Sequence, residues 1–395
     1  MIIKQKVMRN VSLTAHPVGC AAYVSEQFDW LDSQEKDIDS KKYPKRVLVI
    51  GGSTGYGLAS RMTAAVLGNA STINVSFERE PAEKKVATPG WYNTKAFEKE
   101  AHKRGLYAES IFGDAFSNEM KERVSDLIEK EMGQVDLVVY SLASPMRIDP
   151  ETGATYKSVL KPIGTTYSAL SVDVQTGIIE RAEIEPADSG QIEETVKVMG
   201  GEDWKLWIGH LEKRGLLAEG AKTVAYSYIG PEITFPVYRE GTIGKAKEHL
   251  EQTAKELTVQ LEGLGGSAFV AVNKALVTRA SAVIPVVPLY IALLYQVMKE
   301  KDVHEECTQQ MFRLFTERLY HGDVVPVDEE GRIRLDDWEM RSDVQVEVQR
   351  RWDLQKEGEP LVAGDLEGFR LSYDHIHGFG YDAVDYEVDV DPREV

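Results

Sequence analysis

The stretch YREGTIGKAK, from Tyr238 to Lys247, places a phenol and two ammonium groups within ten residues. A tyrosine beside a lysine ammonium can deliver a proton, because the positive charge stabilises phenolate and eases release. Two side chains that must share one helical face are spaced three or four apart; here the separation is nine. Nine residues of continuous helix turn through about 900° and put the two side chains on opposite faces. The pair therefore needs Tyr238 ahead of a helix that begins near Thr242. Gly241 and Gly244 allow a break there, and Thr242 is suited to the N-cap. The spacing equally fits a half-buried aromatic beside a solvated charge, and Lys245 meets the requirement as well as Lys247 does.

A second group of residues could hold what such a pair acts with. VLVIGGSTGYGLAS puts Gly51, Gly55 and Gly57 between a strand and a helix. A Cβ at these positions would hold the backbone away from a pyrophosphate, whereas the helix N-terminus offers free N–H groups to it. In its strand–turn–helix context the motif reads as dinucleotide-binding. The next strand ends SFE, and an acid at Glu78 suits the adenosine ribose hydroxyls and repels a 2′-phosphate, favouring NADH over NADPH. Against this, Glu78 also reads as a surface carboxylate, and the adjacent Arg79 could accept that phosphate. Asp114-Ala115 and Leu142-Ala143 come after later strands at the same edge.

The elements that must position these residues alternate. RVLVI, STINVSFE, LYAESIFGDAF and VDLVVYSLASP read as strands, with helical LASRMTAAVL, TKAFEKEAHKRG and NEMKERVSDLIEKEMG between them. Repeated strand–helix units predict an α/β, Rossmann-type doubly wound parallel sheet. The segment 146–190 breaks this pattern and reads as a β-hairpin excursion around the turn Asp173 to Gly177. Helical material begins again at Gln191, succeeded by a strand AKTVAYSYIG, the helix GTIGKAKEHLEQTAKELTVQLEG and a strand SAFVAVN. TQQMFRLFTERLY and DDWEMRSDVQVEVQRRWD read as helices, and the acidic end DAVDYEVDVDPREV as a solvated tail. The expected organisation is one domain: a dinucleotide-binding core 46–145, the insertion 146–190, a catalytic and substrate-pocket half 191–300, and C-terminal helices with the tail 301–395.

Composition bounds the partners. A formal charge of −18 over 395 residues opposes non-specific binding to nucleic acid or anionic membrane. Cys20 and Cys307 are the only cysteines, so a disulfide framework is excluded and a reducing compartment fits. His16 and Cys20 lack the further ligands of a metal site. The start MIIKQKVMRN lacks the apolar core of a signal peptide. Ala280 to Met298 is nineteen residues without a charge, but it contains Pro285 and Pro288. It reads as a buried helix kinked by proline, able to line an apolar pocket, rather than as a membrane span.

Taken together, AHPVGC, VLVIGGSTGYGLASR, TPGWYN, GDAFS, DLVVYSLASP, VMGGEDW, AYSYIGPE, YREGTIGKAKEHL, KALVTRASAVIPVVPLY and DDWE resemble the trans-2-enoyl-CoA reductases and the related FabV-type enoyl-acyl-carrier-protein reductases. These are enlarged relatives of short-chain dehydrogenases with a Tyr-x8-Lys pattern, and the resemblance runs nearly end to end. TIGKAKEHL and VNKALVTRASA look closer to the CoA branch. The resemblance implies NADH-dependent reduction of the α,β double bond of trans-2-enoyl thioesters, carried by CoA or by an acyl carrier protein, in a cytoplasmic monomer. It implies Tyr238 as proton donor, Lys247 as the lysine touching cofactor and active-site oxygen, and Tyr228 as contact of the thioester carbonyl. NADH would lie on Gly51, Gly52, Ser53, Thr54, Gly55 and Tyr56, on Phe77 and Glu78, on Asp114 and Ala115, on Leu142 and Ala143, and on Leu276, Val277 and Thr278. Residues 280–298 would form part of the acyl-chain pocket. Two other readings remain: a carbonyl reductase, and a non-catalytic NADH-binding regulator.

Overall fold

RVLVI, STINVS and VDLVVY become strands covered on both faces. The computed structural model describes residues 1–8, 11–34, 38–83, 85–279, 281 and 284–395. A short hairpin of β1 (Val7–Met8) and β2 (Val11–Ser12) and helix α1 (Pro17–Gln34) come first. Then β3 (Arg46–Ile50), α2 (Gly55–Gly68), β4 (Ser71–Ser76), α3 (Pro89–Lys103), β5 (Ala108–Phe112), α4 (Asn118–Glu131) and β6 (Val135–Tyr140) alternate. Two hairpins come next, β7 (Met146–Ile148) with β8 (Thr155–Lys157) and β9 (Tyr167–Val172) with β10 (Ile179–Ile184). The chain continues through α5 (Ser189–Met199), α6 (Glu202–Lys213), β11 (Leu217–Ser227), α7 (Thr242–Gln260), β12 (Ser267–Val272), α8 (Val287–Glu300) and α9 (Cys307–Arg313). It ends with β13 (Arg332–Arg334), α10 (Ser342–Trp352) and α11 (Leu366–Ile376).

Seven strands form one sheet in the order β13-β12-β11-β6-β3-β4-β5, with every neighbouring pair parallel. In β3, Val47 and Val49 enter one apolar core while Leu48 and Ile50 enter another. This two-sided burial is why RVLVI shows no polar alternation. Each such side chain contributes roughly 1.5–3 kcal/mol by leaving water. Strand order reverses between β3 and β6, so their carboxyl ends open a crevice where a ligand can lie.

The turn Asp173 to Gly177 connects β9 to β10 as expected, with the Asp173 carboxylate accepting the Gln175 and Thr176 N–H groups at 2.8 Å each. Four other expectations are corrected. The helical material after Gln191 is two helices, broken where Gly200 and Gly201 pass His249 and Thr253 too closely for a Cβ. DDWEMRSDVQVEVQRRWD is helical only from Ser342, leaving Asp337 to Glu339 in a turn. The acidic end is docked rather than solvated: Tyr92 donates to the Pro392 carbonyl at 2.7 Å, Val390 N–H to the Met1 carbonyl at 3.2 Å, and Lys99 to the Val395 carbonyl at 2.9 Å. Backbone groups and the apolar Tyr386, Val390 and Val395 anchor it, which a count of acids does not reveal.

The fourth correction concerns the apolar segment. Its helix begins only at Val287, with Pro288 in the first turn, where a missing N–H costs nothing. Proline therefore starts this helix instead of kinking it. Val286 precedes it at φ 74°, a strained setting for a β-branched residue. Ala280, Ala282 and Val283 lie outside the described residues. Leu289 to Tyr295 are fully buried, and no helix among the described residues is long and apolar enough to cross a membrane.

Candidate active site

Beyond Ile50 the chain turns under the crevice. Gly51 has φ 92°, and a Cβ there would stand 2.3 Å from the Ser141 carbonyl oxygen. Gly52 donates its N–H to Asn74 Oδ1 at 2.8 Å. A Cβ on Gly57 would meet the Gly51 carbonyl oxygen at 2.2 Å. The turn is thus packed to glycine tolerance, and α2 starts behind it. Thr54, its N-cap, makes no side-chain capping bond, so the first N–H groups stay available to a pyrophosphate. These residues fit a dinucleotide. Tyr56, in the first turn of α2, donates instead to the Lys274 carbonyl at 2.7 Å and ties α2 to the segment after β12.

After β4, Phe77 is 83% exposed and the Glu78 side chain is 4% exposed. Ser53 donates to Glu78 Oε1 at 2.7 Å, joining the glycine turn to the acid at the end of β4. The guanidinium beside Glu78 is that of Arg279, at 3.1 Å, not the adjacent Arg79. That pair joins residues 201 apart along the chain. Asp114 accepts the Phe116 N–H at 3.0 Å, while the Ala115 carbonyl receives the Trp207 indole at 3.0 Å. Leu142 abuts Gly51, and Ala143 stands next to it after β6.

Helix α7 begins at Thr242, so Tyr238 lies ahead of it in a run of turns. The cap itself is Gly241; Thr242 is already helical and spends its hydroxyl on the Val159 carbonyl. Tyr238 is 8% exposed, and its ring meets that of Tyr228 edge-on at 4.8 Å between centroids. Lys247, half-buried, donates to the Tyr226 carbonyl at 2.9 Å, so it and Tyr238 both converge on the end of β11. Burial pushes its ammonium down to about 8, opposed by the charge of Glu251. Lys245 is exposed and pairs with Glu248 at 2.9 Å, whereas Lys247 reaches the end of β11. Burial, reinforced by Glu339, raises the Tyr238 phenol above its ordinary value.

Glu339 had no role in the sequence motifs. It is fully buried, and its Oε1 accepts Tyr290 at 2.6 Å and Tyr228 at 3.1 Å, while Oε2 accepts the Ala275 N–H at 2.7 Å. Burial pushes its carboxyl up to about 7 against the hydrogen bonds from Tyr290 and Ala275. The signal available in sequence was DDWE, a block read as the start of a helix that in fact begins only at Ser342. Next to Ala275, Leu276 and Val277 are buried and Thr278 half-buried. Val277 N–H reaches Tyr295 of α8 at 3.0 Å, and Ser281 receives the Thr278 N–H at 2.8 Å. Helix α8 therefore backs both the segment after β12 and the tyrosine cluster. His16, by contrast, accepts the Gly19 N–H at 3.3 Å and packs edge-on against Tyr386.

A model of the trans-2-enoyl-CoA reductase catalytic region matches residues 85–320, and one of the NAD(P)H binding domain of trans-2-enoyl-CoA reductase matches residues 2–83. The chain belongs to the trans-2-enoyl-CoA reductase family. Among its relatives, an enoyl-[acyl-carrier-protein] reductase [NADH] of Flavobacterium johnsoniae is 56% identical, covering 98% of this chain and 97% of the relative. One of Coxiella burnetii is 55% identical over 98% and 95%. The crystal structure of Treponema denticola trans-2-enoyl-CoA reductase in complex with NAD superposes with a TM-score of 0.94 at 51% identity, covering 99% of this chain and 98% of that one.

A third model, described as an enoyl reductase FAD binding domain, matches residues 327–390. The residues there do not fit a flavin dinucleotide. The stretch contributes one three-residue strand, β13, and its helices open on Asp343 and on Asp365 with Glu367, carboxylates that would oppose a pyrophosphate. Its contribution to the site is Glu339.

Proposed function

We propose that the protein reduces the α,β double bond of trans-2-enoyl thioesters with NADH. The observation that carries this reading is the Tyr228–Tyr238 pair at the end of β11, across the strand-order reversal from a glycine turn that fits a dinucleotide. Bound NADH supplies hydride to the β-carbon. Negative charge then develops on the thioester oxygen, and a donor preorganised there stabilises it. Tyr238 donates to that oxygen, Tyr228 contacts the same carbonyl, and Lys247 keeps the field at the end of β11 positive. Tyr238 gives up the proton that ends on the α-carbon and regains one from solvent, so hydride and proton together complete the saturated thioester. Glu78 holds the ribose hydroxyls; Gly51 to Tyr56, Phe77, Asp114, Ala115, Leu142, Ala143 and Leu276 to Thr278 line the rest of the cofactor site. Helix α8 supplies the apolar wall for the acyl chain.

The whole chain is read as one functional unit, since Glu339 of the C-terminal part bonds Tyr228 of the catalytic half. Both thiols are free and buried, which supports a reducing, cytoplasmic setting, and we read the protein as a monomer. Relatives named for carrier-protein substrates and for CoA substrates leave both thioesters as candidates. The test is NADH oxidation with crotonyl-CoA and then with a crotonyl carrier protein, with NADPH as control. Turnover with NADH and little with NADPH is expected. NADH binding without turnover of either thioester would refute the reading.

A further inference from the structure

Glu339 sits outside any helix or strand, 111 residues from Tyr228 along the chain, yet its carboxyl collects the hydroxyl of Tyr228. A phenol has one hydrogen to give. While Glu339 is a carboxylate, the Tyr228 hydrogen is committed to it and is not available to a substrate oxygen.

Hydrogen counting fixes the arrangement around a neutral Glu339. Oε2 faces the Ala275 N–H, a donor, so the carboxyl hydrogen must sit on Oε1. Two phenols share Oε1. Gln345 Nε2 donates to the Tyr290 oxygen at 3.2 Å and is itself fixed to the Glu339 carbonyl at 2.7 Å. Tyr290 thus keeps its own hydrogen directed at Glu339, and the carboxyl hydrogen is left to Tyr228. The donors then run in one direction: Gln345 to Tyr290, Tyr290 to Glu339, Glu339 to Tyr228. The Tyr228 hydrogen is free to turn away from Glu339.

We propose that Glu339 is a positioning residue: when protonated it donates to Tyr228, releasing the Tyr228 hydroxyl to bond the oxygen of the substrate thioester as charge develops there. The inference rests on the reading of Tyr228 as a thioester contact. The Glu339 proton is held, not consumed, so hydride addition and α-carbon protonation keep their balance.

The groups facing Glu339 favour both forms near neutrality. Burial raises the carboxyl and Asp336 adds to this, although Asp336 is bound by Arg334; Tyr290, Ala275 and the ammonium of Lys274 oppose it. Lys274 itself donates to the Ala275 carbonyl at 3.2 Å, over the ring of Tyr295. Tyr228, Tyr290 and Tyr56 are neutral phenols throughout this range, each raised by burial.

The experiment is the pH profile of kcat/KM for crotonyl-CoA at saturating NADH. In the wild type, activity falls as pH rises through about 7, as Glu339 ionises and recaptures Tyr228. In Glu339→Gln the amide donates at every pH, so the fall moves up to that of Lys247, about 8. In Tyr228→Phe there is no hydroxyl to release; the rate drops roughly tenfold or more, and the fall near 7 is lost as well. A merely structural Glu339 would lower the rate without moving the profile. A fall near 7 that persists in either variant overturns the inference, and Tyr228→Phe decides the matter if Glu339→Gln does not fold. Absence of wild-type turnover overturns the substrate reading and this inference together, whereas an unmoved profile in an active variant overturns this inference alone.

Discussion

The two flanks of the crevice are made of different material. On the β3–β4–β5 flank the surface is backbone: Gly51, Gly52 and Gly57 bring main-chain atoms to where a side chain would collide. On the β11–β12 flank it is side chain: Tyr228, Tyr238 and Glu339 are buried or nearly so, and burial has displaced the titration of each. A cofactor common to many enzymes needs a cradle that stays the same whatever the reaction. A particular reaction needs groups whose proton affinity the surroundings can tune. On the proposed reading the first flank binds and the second reacts, so substitutions on them should separate affinity from turnover.

The sharpest test of that separation is Tyr238→Phe. Turnover should fall on the order of 10²- to 10⁴-fold, while NADH affinity, read by fluorescence titration, stays close to wild type. Comparable losses in both would erase the distinction. Next in size is the cost of burying Glu339. Its carboxyl is raised from 4.5 to about 7 in the fold, so the stabilisation it gives is complete below the unfolded value and is lost as pH rises through the folded one. Urea unfolding of wild type and Glu339→Gln in parallel should show the difference shifting toward the variant by about 3 kcal/mol between acid and pH 8. A constant difference would mean the group does not titrate there.

On the binding flank, Gly51→Ala should lower stability by about 2 kcal/mol and weaken NADH binding, because the added carbon meets the Ser141 carbonyl at positive φ. An alanine variant that binds NADH normally would show that the turn is looser than its packing. The smallest expected effect belongs to Glu78→Gln. Removing the charge and releasing Arg279 should shift the NADPH/NADH ratio of kcat/KM upward roughly tenfold. An unchanged ratio would assign cofactor choice elsewhere.

Much of the binding flank could be read directly. RVLVI, GGSTGYG and SFE are local signals, since strand burial, a glycine turn and an acid at a strand end each need only a few consecutive residues. Even there, the Arg279 partner of Glu78 escaped, because it lies 201 residues away along the chain. On the reacting flank, the nine-residue spacing required a helix beginning near Thr242 and the structure has it. The spacing alone left Lys245 and Lys247 equal; the direction each faces on α7 separated them.

Periodicity and backbone sterics act over short stretches, and they were enough to specify the parallel α/β sheet, the glycine turn and the position of Tyr238 ahead of its helix. Block-by-block resemblance also anticipated the family. Folding in three dimensions was needed to bring Glu339, Tyr290 and Ala275 to Tyr228, to dock the acidic end against Tyr92, and to make Pro288 open α8. Those outcomes depend on burial and on hydrogen-bond partners drawn from distant segments. A carboxyl group's proton affinity is set by its surroundings, and the groups that surround Glu339 are far from it along the chain.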